Sequence, residues 1–308
     1  MNLLRNNINQ SLLIKQVLKD SIRCKSTSTA EYCLESVKRY DYENFMCTLL
    51  LKNAARACAF AVRGFNVEVA RVGEQVSDPN IGLMRLQFWE DAINDCFSNN
   101  VAKIPQHPVA AELYKAITNS KLTKRYFNSL ISSRRNNLKI NGFQTLEDIE
   151  TYSEKSVSNV YYLILEGSNC RNVNADHAAS HLGKAQGIVQ QLRSISLAKR
   201  LKIIPIPQDI LVKNKVSQEE LLRGIPSERL NECVFEIASR AYQHLTKARN
   251  ILKQVPAEAR SALLPAVPVG NYLEKLQKVN YDALHPTLQQ KSWTWLVKLW
   301  MTNFRNKY

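Results

Sequence analysis

Apolar residues recur three and four positions apart along most of this chain. The clearest run lies in 229–254, where Val234, Ala238, Ala241, Leu245, Ala248 and Leu252 follow at steps of 4, 3, 4, 3 and 4. That spacing is one buried stripe of an amphipathic helix. Leu86, Trp89, Ile93 and Phe97 form a second stripe. Asp78-Pro79 ahead of it suits an N-cap followed by the first helical position. Ser28-Thr29-Ala30-Glu31 fits a capping box, so a helix is predicted from there to about Leu51, and another over 54–75. Further helices are predicted over 122–138, from Thr151-Tyr152-Ser153-Glu154 to near Gly167, over 175–199, and from Ser217-Gln218-Glu219-Glu220. Asn141-Gly142 reads as a turn, and Pro105, Pro108, Pro205 and Pro207 punctuate. No alternating strand pattern and no internal repeat stands out. The expectation is one all-α domain of about ten helices, with 205–207 and 265–268 as loops too short to divide it.

Composition narrows this picture. The chain has 308 residues, 45% of them hydrophobic, which suffices for a sizeable core. Nine glycines and ten prolines are too few for a β-sandwich or a glycine-loop nucleotide fold. No run of 18 uncharged apolar residues exists, which excludes a membrane-spanning helix. Seven scattered cysteines (Cys24, Cys33, Cys47, Cys58, Cys96, Cys170, Cys233) form no CxxC pair, and their number is odd. They read as reduced, mostly buried thiols rather than a disulfide or zinc framework. The net charge of +15 favours nucleic acid, anionic lipid or an acidic protein as partner. Residues 1–27 carry Arg5, Lys15, Lys19, Arg23 and Lys25 against Asp20, with leucines near helical spacing. A basic, amphipathic, acid-poor leader is a mitochondrial import signature, so 1–27 is expected to be a transit peptide and 28–308 the folded part.

Two segments carry a resemblance. Tyr40 and Phe45 precede Ala54-Ala55-Arg56-Ala57-Cys58-Ala59-Phe60-Ala61-Val62-Arg63, and later comes His181-Leu182-Gly183-Lys184-Ala185-Gln186-Gly187-Ile188-Val189-Gln190-Gln191-Leu192-Arg193-Ser194. Both resemble the signature helices of the squalene/phytoene synthase family, and the resemblance extends over about 30–300. It implies an isoprenoid-synthase-like helical bundle around a central cavity. Gly64-Phe65-Asn66-Val67-Glu68, Ile81-Gly82-Leu83-Met84-Arg85-Leu86-Gln87-Phe88-Trp89 and Ala175-Asp176-His177-Ala178-Ala179-Ser180-His181 resemble a non-catalytic mitochondrial branch of that family. This implies a role in the early assembly of respiratory complex I. The implied partners are assembly intermediates or a membrane-arm subunit.

The family's enzymes hold magnesium and a diphosphate with two aspartate-rich motifs. Hard cations need such carboxylates. Here 63–71 contains no aspartate and leaves Glu68 alone, and the 32 residues from His177 to Gln208 contain neither Asp nor Glu. The positions resembling the second motif's aspartates are Ser194 and Ala198, flanked by Lys184, Arg193, Lys199, Arg200 and Lys202. The expectation is a synthase fold without enzymatic activity, metal or cofactor. Arg63 and Arg193 resemble family arginines near the cavity mouth. With Glu68 they are the candidate site for an anionic lipid or prenyl chain. The alternative is that both arginines pair with Glu68 or Glu166 and the cavity is filled.

His177 and His181, four apart beside Asp176, lack a third ligand and an HExxH glutamate. They read as hydrogen-bonded histidines after a capping aspartate rather than a zinc site. No GxSxG, P-loop or GxGxxG is present. Three of four tryptophans fall in 292–301, and after Asp282 the chain has four basic residues and no acid. Trp293, Trp295, Lys298 and Trp300 are therefore expected to contact an anionic inner-membrane lipid surface from the matrix side, aided by the basic helix at 121–139 (Lys121, Lys124, Arg125, Arg134, Arg135, Lys139). A buried last core helix is the alternative. RNA binding is not expected, because no RNA module or basic–aromatic platform is present. A residual prenyl-diphosphate or lipid-modifying transferase, or a lipid carrier, is the rival function.

Overall fold

The computed structural model describes residues 28–308 except positions 77, 99, 139, 141, 291 and 292. The expected leader with Cys24 lies outside the described residues, as do Lys139, Asn141 and Ser292. The described residues fold entirely as helices and connecting turns, without a strand. In order these are α1 (Thr29–Tyr40), α2 (Tyr42–Leu49), α3 (Asn53–Gln75), α4 (Pro79–Phe97), α5 (Pro108–Ser120), α6 (Lys124–Asn137), α7 (Leu146–Ser153), α8 (Asn159–Gly167) and α9 (Val173–Ser194). Then follow α10 (Ala198–Leu201), α11 (Gln208–Lys213), α12 (Gln218–Arg223), α13 (Glu228–Asn250), α14 (Ala266–Lys278) and α15 (Thr294–Phe304). The excess over ten comes mainly from α2, α7, α10 and α11, each eight residues or shorter. Segments that short span too few turns to register as a periodic stripe.

Local chemistry explains most boundaries. Ser28 accepts from Glu31 N, Asp78 from Asn80 N beside Pro79, and Ser217 and Glu220 form a reciprocal box. The expected helix from Ser28 to Leu51 is broken at Asp41, whose φ of −143° takes the chain out of the helix. The start expected at Thr151 is also displaced. Thr145 and Asp148 cap each other at 3.2 and 2.9 Å, so α7 begins at Leu146. It continues through a π-helical turn, Glu154–Ser158, into α8.

One continuous hydrophobic core joins α1 and α3–α14. At its centre Phe65 packs edge-on against Trp89 and Phe127, with centroids 5.6 and 5.5 Å apart. The α13 stripe is buried as far as Ala248 and lies against α9, while Leu252 falls past the helix end and is half-buried. The end of α7 and the π turn come close to α9 because Gly187 faces Ser153 and Gly183 faces Ser158. A Cβ on Gly183 would lie 2.2–2.7 Å from Oγ, Cα and N of Ser158, and one on Gly187 2.1 Å from Ser153 Oγ. Cys33, Cys47, Cys58, Cys96, Cys170 and Cys233 are all buried and unpaired. Burial pushes the Cys33 thiol up to about 12, so it stays protonated and inert. Among the described residues no helix is long and apolar enough to cross a membrane.

Candidate functional site

Helices α3, α6, α8 and α9, with the π turn and Asp41, enclose a cleft of about 350 Å³. Arg63, Asn66 and Ala70 face it from α3, Arg134 from α6, and Gln186 and Gln190 from α9. A larger hollow of about 850 Å³ adjoins it beyond Tyr152, which borders both.

Arg63 is 3% exposed and sits 5.8 Å from the centroid of Tyr161. Its charged partner is Asp41 Oδ2 at 3.7 Å, beyond hydrogen-bond distance. Asp41 is held by Asn44 Nδ2 at 2.8 Å, and burial pushes its carboxyl above the usual range despite the attraction of Arg63. Arg193 lies elsewhere energetically. Its two terminal nitrogens donate to Glu43 at 2.7 and 3.0 Å, and its guanidinium lies 4.7 Å from the centroid of Tyr272. Glu68 does not join either arginine; it accepts from Tyr32 Oη at 3.1 Å. Glu166 is likewise occupied by the backbone N–H and hydroxyl of Thr123. The acids facing the two arginines are thus Asp41 and Glu43, at the junction of α1 and α2.

Arg134, expected to add to the basic helix's attraction for a lipid surface, is instead buried. Its terminal nitrogens donate to Leu130 O at 2.9 Å, Asn66 Oδ1 at 2.6 Å and Ser156 O at 3.1 Å. The neighbouring Arg135 pairs with Glu90 at 2.6 Å. The basic helix therefore offers less free charge to a surface than its sequence advertises. Arg134 lies one helical turn from the core residue Leu130, on the buried face of α6.

The carboxyl groups bordering the cleft are Asp41 and the exposed Glu74 at its rim. Its other polar lining is amide, guanidinium and the neutral hydroxyl side chains of Ser156 and the tyrosines. Ser194 Oγ turns back to Gln191 O at 2.7 Å, and Ala198 is buried. A magnesium ion needs several anionic oxygens, so this donor set does not fit one. Among the described residues no three His, Cys, Asp or Glu groups are arranged to hold a metal.

The histidines lie at the α9–α13 seam. Nδ1 of His181 and Nδ1 of His244 are 2.9 Å apart, and His244 Nε2 is 3.3 Å from Glu150 Oε1, which also accepts from Arg240 Nε. The α9 cap is Asn172, accepting from Asn174 and Ala175 N, not Asp176, which falls within the first turn. Burial and the neighbouring His244, His177, Lys247 and Lys184 pull the His181 ring down to about 4. Because this lies below the unfolded value near 6.5, the unfolded chain takes up the proton first on acidification. The contribution is complete above about pH 6.5 and is lost as pH falls towards 4. Urea titrations at pH 7 and 5 are expected to show this fall, on the order of 1 kcal/mol for a solvent-screened ring, and His181→Gln to flatten it. An unchanged slope in the variant would remove His181 from the account.

Helix α15 divides the predicted membrane residues. Trp295 and Leu299 are buried against Cys47, Leu264 and Val267. Trp295 therefore does not reach solvent, because its face of the helix closes the core. Lys298 pairs with Glu274 at 2.7 Å. Trp293 and Trp300 point outward with Val297 and Phe304, at steps of 4, 3 and 4, and the rings of Trp300 and Phe304 stack at 5.8 Å.

Comparison with known proteins gives three results. The squalene/phytoene synthase family model matches residues 37–297. A rat protein called NADH dehydrogenase (ubiquinone) complex I, assembly factor 6 is 42% identical over 277 residues, covering 90% of this chain and 82% of its own. The human protein of that name is 40% identical over 280 residues, covering 91% and 83%. Among solved structures, a dehydrosqualene synthase in complex with ligand superposes with a TM-score of 0.77 at 18% identity, over 91% of this chain and 97% of that one.

Proposed function

The chain belongs to the squalene/phytoene synthase family, and on that premise we propose that it is a non-enzymatic assembly factor for respiratory complex I. The observation that carries this reading is identity of about 40% over nine-tenths of the chain with proteins bearing that name. The cleft chemistry supports the non-enzymatic part. Ionising an allylic diphosphate needs a cation cluster held by carboxylates, whereas this cleft is bordered by two, Asp41 beside Arg63 and Glu74 at the rim, among guanidinium, amide and hydroxyl groups. Shape and surface then do the work that turnover does in a synthase.

The finer reading is an early step on a membrane-arm subunit, performed in the mitochondrial matrix on the surface of the inner membrane. The basic leader and the outward aromatic row of α15 support it. In cells lacking this protein, native gels are expected to lose most assembled complex I along with NADH:ubiquinone oxidoreductase activity, and re-expression to restore both. Normal complex I in those cells would overturn the proposal. Purified protein given prenyl diphosphates and magnesium is expected to release no pyrophosphate above the protein-free control. Sustained turnover would instead favour the transferase reading.

A further inference from the structure

The hollow of about 850 Å³ beyond Tyr152 takes no part in the chemistry of the cleft, and Tyr152 is the one side chain that lines both. Its walls are the end of α6, the segment 140–144, α7, the turn at 202–208 and α12. Two of these walls are tied by backbone: the N–H groups of Gln208 and Asp209 donate to Phe143 O and Gln144 O, both at 3.0 Å. The hollow is therefore built into the fold rather than left between loose loops. Ile140, Phe143, Ile204 and Leu222 give it an apolar patch, and Ile140 is 49% exposed. Lys155 and Lys202 also line it and are exposed, and among the described residues neither ammonium makes an ion pair or hydrogen bond. Its one lining carboxyl, Asp148, already accepts from the Thr145 N–H at 2.9 Å. The side chains of Asn136, Asn137, Gln144 and Thr151 likewise have no hydrogen-bond partner among the described residues.

We infer that this hollow docks an acidic, amphipathic segment of a partner protein. The partner's carboxylates meet Lys155 and Lys202, and its apolar side chains cover Ile140, Phe143, Ile204 and Leu222. Charge selects the occupant. The chain's own leader, with five basic residues against one acid, has the wrong sign, and so does a second copy of a chain of net charge +15. The polar wall separates a peptide from a lipid tail. An acyl chain seated here would strip water from the carboxamides and the Thr151 hydroxyl and offer them nothing in return. A peptide brings main-chain N–H and C=O groups, and each carboxamide both donates and accepts. The volume lies in the upper part of the ordinary range for clefts, roughly 300–1,000 Å³, and takes several residues rather than a lone ion. The inference deepens the assembly-factor reading and rests on it for the complex to which the partner belongs, not for the binding itself.

The purified full-length protein is panned against a random dodecapeptide library displayed on phage, and enriched peptides are resynthesised and titrated by fluorescence anisotropy. They are expected to combine several Asp or Glu with apolar residues and to bind more weakly in high salt. Lys155→Glu with Lys202→Glu is expected to weaken their binding about tenfold. The melting temperature should not change, because both side chains are exposed and unpaired. Gln144→Glu, exposed in the 140–144 wall, is expected to act in the same direction and serves if the double variant is unstable. In cells lacking the protein, the double variant should accumulate normally yet restore less complex I than wild type. No enrichment, enrichment of neutral or basic peptides, or binding that the variants leave intact would each overturn the inference. Tighter binding of monomeric dihexanoyl phosphatidic acid than of any enriched peptide would assign the hollow to a lipid and overturn it too. Full rescue of complex I by the double variant would also overturn it while leaving the assembly-factor reading standing, since the deletion alone judges that.

Discussion

Gly183→Ala is expected to prevent this protein from folding stably. The methyl group would sit 2.6 and 2.7 Å from the Cα and N of Ser158, and 2.2 Å from its Oγ. A flexible side chain can swing away from an added methyl, but here two of the three contacts are backbone. That backbone belongs to the π turn between α7 and α8, which packs directly on α9. Relief therefore requires α9 to move off the turn, and α9 also carries the main contact with α13. Overpacking a core costs roughly 1–3 kcal/mol, and a backbone clash lies at or above the upper end. Natural domains hold only about 5–15 kcal/mol in total. Purified Gly183→Ala is expected to be insoluble or to melt at least about 6 °C lower, measured by circular dichroism. In cells it should behave like the deletion. A neutral comparison is Gly224→Asn, at a left-handed C-cap with no neighbour within 4 Å of its Cβ direction. A Gly183→Ala protein melting with wild type would show that the α9–π-turn contact is looser than described.

Trp300→Asp with Phe304→Asp is expected to abolish binding to anionic vesicles while leaving the fold intact. Trp300 is 61% exposed and Phe304 79%, one turn apart on the outer side of α15. The opposite side, Trp295 and Leu299, remains to hold the helix on the core. Moving each aromatic ring from water into the headgroup region contributes up to about 1.5–3 kcal/mol. Losing most of that at two sites is worth a factor of about 10² or more in partitioning. The new carboxylates add repulsion from anionic lipid. Vesicle flotation with cardiolipin-containing and neutral phosphatidylcholine membranes measures it. Wild type should float with the first and much less with the second, and the double variant with neither. Trp295→Asp serves as contrast, because it should lower the melting temperature. Flotation of the double variant at wild-type level, or indifference of wild type to lipid charge, would remove α15 as the membrane contact.

Much of the helical order was legible in the sequence for a plain reason. Caps such as Asp78-Pro79 and Ser217/Glu220, and stripes such as the one on α13, act between residues three or four apart. The misplacements have equally local causes of a less visible kind. Thr145 and Asp148 form a box as good as the one expected six residues later, and the π turn erases the second start by carrying the backbone straight through. Within the candidate site, Arg63 was recognisable by its resemblance, and the scarcity of acids around Arg193 was plain from composition. Arg134 was not recognisable, because a guanidinium in a run of basic residues looks solvated until its Cα is seen one turn from buried Leu130.

The order and amphipathic spacing of the residues fixed an all-helical chain, the small residues of α9, the acid-free stretch from His177 to Gln208 and the aromatic tail. All follow from near-neighbour geometry and the identity of side chains. Folding in three dimensions settled which charge meets which. It brought Glu43 to Arg193 across 150 positions, joined Arg134 to Asn66 across 68, and turned Trp295 inward while leaving Trp300 outside. Ion pairing, burial and the facing of a helix depend on distances between segments, and those distances exist only once the helices have packed.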